Sequence, residues 1–476
     1  MATTTNNIYL DPPEPMTCKK DAVIDGEIVK KYIDKHQEQL PRYQKLKQLY
    51  KGDHDIIRQT AKEDFKPDNR VIVNLAKVIV DTFMGFFNGI PIKKKHSKKK
   101  VAKVITEFDN RNDIEDQEYE LAKIACIYGH GFEYMFQDED TKTCVVYNSP
   151  EDMFLVFDNT VKQQPLFAVR YGYDEDDDGK IYGQLFTLDY EYTFTGGDGD
   201  EITIDEGSKK VNPFDEIPVY EFIHNEERMS VFESVLSAQE SLNKTFSEKA
   251  NDIDYFADAY LAIIGAKIED GNLVSIRDNR TINLYNESGQ PITLDAKFLE
   301  KPSADGTQEH YLDRLERFIY QVSMVANISD QEFGNSSGVA LAYKLLPMQN
   351  LAMTMQRKYV SSLKQRYRRV LSLRTNILNS FKDQWQDIEF SFTRNIPQNV
   401  LEESQIMQNV DGIVSKETQL SVFSKVDDPA KEIERMKQEA IDERKDPAFD
   451  FSEVTKINQD EVANEDDQKN AGDVNE

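Results

Sequence analysis

The period of the hydrophobic pattern changes along this chain, and these changes constrain the fold more than any other feature of the sequence. Between residues 21 and 130 apolar residues recur every three or four positions, which predicts helices. From Gly131 to Ile223 the period is two, in runs such as MFLVFD and LFAVRYGY with turn clusters between them. That pattern predicts an antiparallel meander. Helical periodicity returns at Glu226, so the sequence predicts a mixed α+β fold.

Two further helical stretches enclose a second, smaller group of strand-like segments. Residues 226–257 contain an apolar stripe about eight turns long, and residues 308–328 contain a shorter one. Residues 258–307 between them are short and strand-like, with turn signals at EDGN, RDNR and ESGQP. This order predicts a two-helix stalk that ends in a small β module.

A very long helix is predicted from about Gly338 to Phe381, and Pro347 lies inside it. Proline lacks an amide donor and clashes with the carbonyl four residues earlier, so we expect a kink near Tyr343. Between residues 357 and 374 the helix carries seven basic residues and no acidic ones. They are spread around the helix, which favours salt bridges to acidic neighbours over one DNA-facing stripe.

The remaining C-terminal segments are predicted from similar patterns. Residues 385–392 are expected to form a strand that returns to the meander, within a unit that spans 338–397. Residues 398–446 are expected to be helical. Residues 1–20 are expected to form a disordered arm and residues 447–476 a disordered acidic tail.

The composition argues against several classes of protein. The formal net charge of −28 disfavours a protein that wraps nucleic acid over its whole surface. No apolar run approaches the about 20 residues needed to span a bilayer, so no membrane partner is expected. Three widely spaced cysteines without a C-x-x-C pair predict no zinc site, and we expect no cofactor.

The sharpest basic run is KKKHSKKK at residues 93–100. One interpretation is a patch that contacts phosphate. The other, which we favour, is a solvated loop beside an acidic surface, because no aromatic residues interleave for base stacking.

Gly334-Asn335-Ser336-Ser337-Gly338 fits the G-x-S-x-G pattern of serine hydrolases, which raises the question of a catalytic Ser336. In α/β-hydrolases the catalytic histidine follows the serine, and no histidine follows Ser336 in this chain. The preceding ANISDQEF is too polar for the required buried strand. A glycine- and serine-rich turn that caps the following helix is favoured, and we expect no enzyme activity and no catalytic residues.

Three segments in this order carry a resemblance to a known family: NDIDYFADAYLAIIG, FGNSSGVALAYKLLPMQNLA and TQLSVFSKVDDPAKEIERMKQEA. The chain resembles the portal proteins of tailed bacteriophages, in particular the Gp6-like family of head-to-tail connectors. The resemblance covers roughly residues 20–445.

The resemblance implies an architecture. Residues 21–225 correspond to a wing of helices followed by the antiparallel meander, 226–257 and 308–328 to two stem helices, and 258–307 to a small α/β clip. A tunnel loop would span 329–337. The kinked helix and return strand of the wing would span 338–397, and a helical crown 398–446.

The resemblance also implies a role. Portal subunits form a ring of about twelve at one capsid vertex, through which double-stranded DNA passes during packaging and ejection. Expected partners are the terminase large subunit, capsid and scaffolding proteins and the head–tail connector. The expected location is the virion, with the host cytoplasm during assembly. The residues expected to line the DNA channel are Phe333, Gly334, Asn335, Ser336, Ser337, Gly338 and Lys344, with Pro347 at the helix kink.

One alternative stays open on sequence grounds. An acidic cytoplasmic scaffold or adaptor with a helical stalk would fit the same patterns without any role in nucleic-acid transport. A closed ring with a central pore would distinguish the two.

Overall fold

The computed structural model describes residues 10–63, 66–174, 180–196, 201–257, 261–264, 281–284, 295–298, 305–329, 338–396, 400–423, 425–426 and 428–443. The chain divides into two compact units, Met1–Asn395 and Ile396–Glu476.

The first unit contains both helices and strands, in agreement with the predicted α+β class. Its helices are α1 Gly26–Gln37, α2 Leu40–Lys51, α3 Leu75–Asn88, α4 Lys99–Arg111, α5 Ile114–Tyr128, α6 Leu236–Ala257, α7 Asp305–Ser323 and α8 Gly338–Ser372. Short 3-10 turns lie at Asp55–Arg58, Glu233–Val235 and Asn379–Asp387.

The strands of this unit are distributed over several sheets. They are β1 Met16–Cys18, β2 Lys93–Lys95, β3 His130–Gln137, β4 Thr143–Asn148, β5 Met153–Asp158, β6 Pro165–Tyr173, β7 Ile181–Phe186, β8 Tyr190–Gly196, β9 Thr203–Val211, β10 Val219–Ile223, β11 Leu261–Ile264, β12 Thr281–Leu284, β13 Asp295–Phe298 and β14 Glu389–Ser391.

The expected single meander is wrong, because the strands between residues 130 and 223 belong to two sheets. One sheet has the order β1-β5-β6-β7-β8-β9, and the other has the order β10-β3-β4. Strand β10 pairs with β3 in antiparallel register, with Phe222 opposite Gly131. Apolar side chains such as Leu155, Ala168 and Val219 form a core shared by the two sheets. The alternation of apolar and polar residues predicts the strands, but it does not predict which strands pair with one another.

The expected disordered arm over residues 1–20 is wrong at Met16–Cys18. These residues form β1, which pairs in parallel with Val156–Asp158 at the edge of the larger sheet. The hydroxyl of Tyr32 in α1 donates to the carbonyl of Thr17 at 2.5 Å. Met16 and Cys18 pack against the hydrophobic core between α1 and this sheet. This apolar contact orders a segment whose neighbouring sequence is polar.

Helix α6 fixes an extended segment through a row of polar side chains that we call the polar ladder: Gln239, Asn243, Ser247 and Asn251. Their spacing of four residues places them on one face of the helix. They accept hydrogen bonds from the amides of Leu75, Val73, Val71 and Asn69 at 3.2, 3.0, 2.9 and 2.6 Å. Alternate amides of an extended chain are thereby satisfied without a partner strand. The apolar stripe of this helix predicts its packing but not this row of polar contacts.

The boundaries of the expected stem helices differ from the structure. The helix expected from residue 226 begins at Leu236, after the 3-10 turn Glu233–Val235. The helix expected over 308–328 is α7, Asp305–Ser323. It ends where Met324 adopts a left-handed backbone with φ of 61°, a conformation that cannot continue a right-handed helix.

The long helix was expected to reach Phe381, but α8 ends at Ser372. Asn376 explains the stop, because its side-chain amide donates to the carbonyl of Val370 and to the hydroxyl of Thr143, both at 2.8 Å. The expected return strand over 385–392 is the short β14. It pairs with β2 at Lys93–Lys95 rather than with the meander.

Of the expected clip, residues 258–307, the structure describes β11, β12, β13 and the start of α7. Strand β11 pairs in parallel with β12 and antiparallel with β13. The rest of that segment lies outside the described residues.

The second unit contains helices α9 Val400–Asn409, α10 Lys416–Ser421 and α11 Pro429–Glu443. Ser415 caps α10 by accepting from the amide of Thr418 at 3.2 Å. Residue Pro429 is the first residue of α11, a position where its missing amide costs nothing. The expected acidic tail, 447–476, lies outside the described residues.

Candidate DNA-channel segment

The channel residues expected from the sequence divide between described and undescribed parts of the chain. Phe333, Gly334, Asn335, Ser336 and Ser337 lie outside the described residues. Gly338 is the first residue of α8, and Lys344 and Pro347 lie within its first three turns. The described structure therefore defines how the tunnel loop, residues 329–337, is held at its two ends.

At its N-terminal end the loop follows α7. One face of α7 is buried through Leu312, Leu315 and Ile319. An ion pair between Lys249 of α6 and Glu309 of α7 also joins the two helices. The chain leaves α7 in a defined direction, because the positive φ of Met324 turns it out of the helix.

The turn after α7 is fixed by short-range hydrogen bonds. The side-chain amide of Asn327 donates to the carboxylate of Glu316 at 3.1 Å. The amide of Ser329 donates to the side-chain oxygen of Asn327, also at 3.1 Å. This Asx-type turn carries the chain to the first residue of the tunnel loop.

At its C-terminal end the loop enters α8, whose first turns are only partly covered. Leu345 and Met348 are buried, whereas Tyr343 and Leu346 are exposed. Pro347 is exposed and Lys344 is half-buried. Pro347 lies inside the continuous helix α8, and the kink expected at Tyr343 stays a prediction.

The second half of α8 is held on several sides. The hydroxyl of Tyr359 donates to the carbonyl of Glu118 in α5 at 2.7 Å. Ser362 donates to the carbonyl of Glu221 in β10 at 2.8 Å. The guanidinium of Arg369 donates to the carbonyl of Ile217 at 2.9 Å. These bonds tie α8 to elements distant in sequence.

Arg366 is the centre of this attachment and is fully buried. It pairs with Glu118 of α5 and with Glu133 of β3, the latter at 2.5 Å. Lys94 of β2 lies 3.0 Å from Glu118, so that carboxylate has two cationic partners. Burial raises the pKa of Glu133 although Arg366 lies beside it. The guanidinium of Arg366 opposes this shift by pairing with the carboxylate, but burial is the larger effect.

The interpretation of the basic residues in α8 is confirmed at four positions. Lys358 pairs with Glu226, Arg366 pairs as described above, and both Arg368 and Arg369 pair with Glu216. These four bases are engaged in ion pairs with acidic residues of the same unit, as the sequence predicts.

The favoured interpretation of KKKHSKKK, a solvated loop beside an acidic surface, holds for the exposed Lys93, Lys95, Lys98, Lys99 and Lys100, but it is wrong about the loop conformation and about Lys94. Lys93–Lys95 form β2, and Lys99 begins α4. Lys94 is almost completely buried and contacts Asp109 at 3.3 Å as well as Glu118. Strand pairing with β14 and burial of these carboxylates order the run, and neither is visible in the local sequence.

Within the described ranges, no group of three or more His, Cys, Asp or Glu side chains is arranged to hold a metal ion. Nor does any helix in those ranges have the length and apolar character to cross a bilayer.

The chain matches a family model described as phage portal protein, SPP1 Gp6-like, over residues 29–446. The chain belongs to this family of phage portal proteins. The match covers almost the same range as the resemblance seen in the sequence, which is thereby confirmed. Portal proteins form the conduit for DNA at the capsid vertex, and this chain is a subunit of such a conduit.

Curated relatives agree with the family assignment. The portal protein of Bacillus phage SPP1 is 23% identical over 465 residues, covering 89% of this chain and 88% of the relative. The portal protein of Clostridium phage phiCD119 is 22% identical over 442 residues, covering 86% of this chain and 93% of the relative. The alternative of an acidic adaptor finds no support in these relatives.

Among solved structures, a chain in the neck of a native GTA particle, computed with C12 symmetry, has a TM-score of 0.41. It is 12% identical, and the alignment covers 74% of this chain and 89% of that chain. This likeness is too low to carry an argument, so the assignment of the portal subunit rests on its family and relatives.

Proposed function

We propose that this portal subunit forms a closed ring of about twelve copies at a single capsid vertex, with the tunnel loop at the narrowest part of the DNA channel. The subunits assemble in the host cytoplasm and remain in the virion. Double-stranded DNA passes through the ring during packaging and again during ejection.

The attachment of α8 is the observation that carries this proposal. Arg366, Tyr359 and Arg369 fix the second half of the helix in the wing, while its first turns emerge with exposed side chains. The tunnel loop joins this helix to α7, which is packed on α6. Two anchored helices thus flank a short connection that is rich in glycine and serine in the sequence, which supports its assignment as a channel lining.

The charge of the chain supports a channel through which DNA slides. Each subunit has a formal charge of −28. A ring of about twelve subunits therefore carries roughly −340 charges, which disfavours tight binding to the phosphate backbone. Asn335, Ser336 and Ser337 offer only neutral hydrogen-bonding groups, and Lys344 is the nearest base in the following helix. Weak contacts of this kind guide DNA without holding it.

The expected partners follow from the same arrangement. Helices α6 and α7 lead to residues 258–307, which form the clip and dock the terminase large subunit and, later, the head–tail connector. Capsid and scaffolding proteins surround the wing. We expect the protein to act as a structural conduit without catalytic activity.

Deletion of Gly334–Ser337 tests the role of the tunnel loop. We expect the variant to form rings, because the contacts that anchor α7 and α8 lie outside the deletion. We expect it to lose most DNA packaging, measured as nuclease-protected DNA per capsid. Normal packaging by this variant would contradict the proposal.

A matched control removes four residues elsewhere. Deletion of residues 460–463 in the acidic tail shortens the chain equally without touching the channel, and we expect normal packaging. If both deletions impair packaging equally, the effect is not specific to the tunnel loop.

A further inference from the structure

Four side chains with soft or borderline metal-binding atoms meet in the core of the wing. Met84 lies in α3, Cys126 in α5, His224 directly after β10 and Met355 in α8. All four side chains are buried. Their neighbours in sequence give no sign of this group, because the members are separated by at least 42 positions.

Four contacts join the metal-binding atoms of this group. The sulfur of Cys126 lies 3.9 Å from Nδ1 of His224 and 4.0 Å from the sulfur of Met355, and Nδ1 of His224 lies 3.3 Å from that same sulfur. The sulfur of Met84 lies 3.6 Å from that of Cys126. Three donor atoms thus form a closed triangle, and a fourth lies at one corner.

The triangle has the size of a metal coordination plane. For an equilateral triangle with the same mean edge, the centre lies about 2.2 Å from each corner. Metal bonds to imidazole nitrogen and to sulfur are about 2.0–2.3 Å long.

We propose that Cys126, His224 and Met355, with Met84 as a fourth donor, form a binding site for a soft monovalent metal ion, Cu(I). Thiolate and thioether sulfurs suit soft ions such as Cu(I), and a neutral imidazole with its proton on Nε2 offers a lone pair on Nδ1.

The charge balance favours a monovalent ion over Zn²⁺. On binding, the thiol of Cys126 releases its proton to solvent and a sulfur–copper bond forms, while the copper keeps its oxidation state. One positive ion and one thiolate give a neutral site, and the imidazole and thioethers add no charge. Zn²⁺ with the same ligands would leave a buried positive charge, which an apolar core opposes.

Binding would join four elements of the wing. Met355 lies eight residues beyond Pro347 in α8, and the other three ligands lie in α3, in α5 and at the end of β10. The ion would therefore stabilise the attachment of α8 independently of the ion pairs of Arg366. This inference does not depend on the proposed passage of DNA.

The test uses the full chain with Cys18→Ser and Cys144→Ser, so that Cys126 is the remaining thiol. Cu(I) is supplied without oxygen from a bicinchoninate complex, both to the folded protein and during refolding from urea. We expect one copper ion per chain, a raised unfolding temperature, and an X-ray absorption spectrum with sulfur and nitrogen neighbours at about 2.0–2.3 Å.

Two further variants decide the assignment. Met355→Leu keeps the volume of the side chain and should weaken Cu(I) binding at least about tenfold. Met348→Leu, at an equally buried methionine of the same helix, should leave binding unchanged. If Cys126→Ser does not refold, this pair of variants still decides. Three results would overturn the proposal: copper binding that persists without Cys126, equal copper binding in the two methionine variants, or no copper binding in any variant.

Discussion

Arg366 is fully buried between Glu118 and Glu133, so removing its charge leaves two carboxylates without a guanidinium. We expect Arg366→Leu to lower the free energy of unfolding by about 3–5 kcal/mol, the usual cost of breaking a buried ion pair from one side. Urea unfolding followed by circular dichroism measures this loss.

Arg368, two residues further along α8, supplies the matched control. It pairs with Glu216, but about half of its side chain is exposed. Arg368→Leu should therefore cost at most about 1 kcal/mol. Equal losses in the two variants would show that burial does not decide the importance of these ion pairs.

His36 makes stability depend on pH. Burial lowers the pKa of this imidazole from 6.5 to about 4, and the ring contacts the hydroxyl of Tyr171 at 2.8 Å and the carbonyl of Pro150 at 2.7 Å. The folded state keeps the ring neutral, so its contribution is complete above pH 6.5. As pH falls from 6.5 towards 4, the unfolded state takes up the proton first, and the contribution of His36 to stability falls by about 1.4 kcal/mol per pH unit, roughly 3 kcal/mol in all.

Replacement of this histidine isolates its contribution. His36→Gln should flatten the decline of unfolding free energy between pH 6.5 and 4, measured by urea unfolding at a series of pH values. His310→Gln changes an exposed histidine and should leave the slope as it is. An unchanged slope in His36→Gln would contradict this role.

At the scale of elements, the polar ladder of α6 replaces a neighbouring strand for residues 69–75. Asn243→Ala leaves the partly buried amide of Val73 without its acceptor, and we expect a loss of about 1–3 kcal/mol. Hydrogen exchange at the Val73 amide should become faster in the same variant.

The adjacent Lys244 is exposed and provides the control for this element. Lys244→Ala should change neither the stability nor the exchange rate appreciably. Slow hydrogen exchange at the Val73 amide in Asn243→Ala would mean that another group accepts its hydrogen bond.

The elements differ in how far the sequence predicts them. The apolar periods of α6, α7 and α8 predict their existence, since a buried stripe must repeat every three to four residues. Their ends depend on contacts made elsewhere, such as the Asn376 amide that stops α8 and the backbone of Met324 that stops α7. The polar ladder had a visible signal, four polar residues spaced by four, but its partner segment lies more than 160 residues away.

The candidate site shows the same limit. The tunnel-loop residues were predicted through family resemblance, whereas the attachment of α8 by Arg366 depends on Glu118 and Glu133, which come together only in the folded chain. The burial of Lys94 was not predicted for the same reason. Its acidic partner Glu118 is distant in sequence, so the local sequence does not distinguish a buried lysine from an exposed one.

At the scale of the whole molecule, membership of the portal family joins these features into one account. We propose that the anchored helices α7 and α8 hold the tunnel loop, and that the acidic composition weakens its contact with DNA. The central claim is that this loop surrounds the axis of a closed ring.

Electron cryomicroscopy of the assembled protein tests that claim most directly. We predict a closed ring of about twelve subunits with a pore wide enough for duplex DNA. In that ring, residues 334–337 should lie closer to the axis than any other part of the chain. Open low-order oligomers that never close, even with capsid and scaffolding proteins present, would contradict it. A closed ring with a different segment nearest the axis would contradict the role given to the tunnel loop.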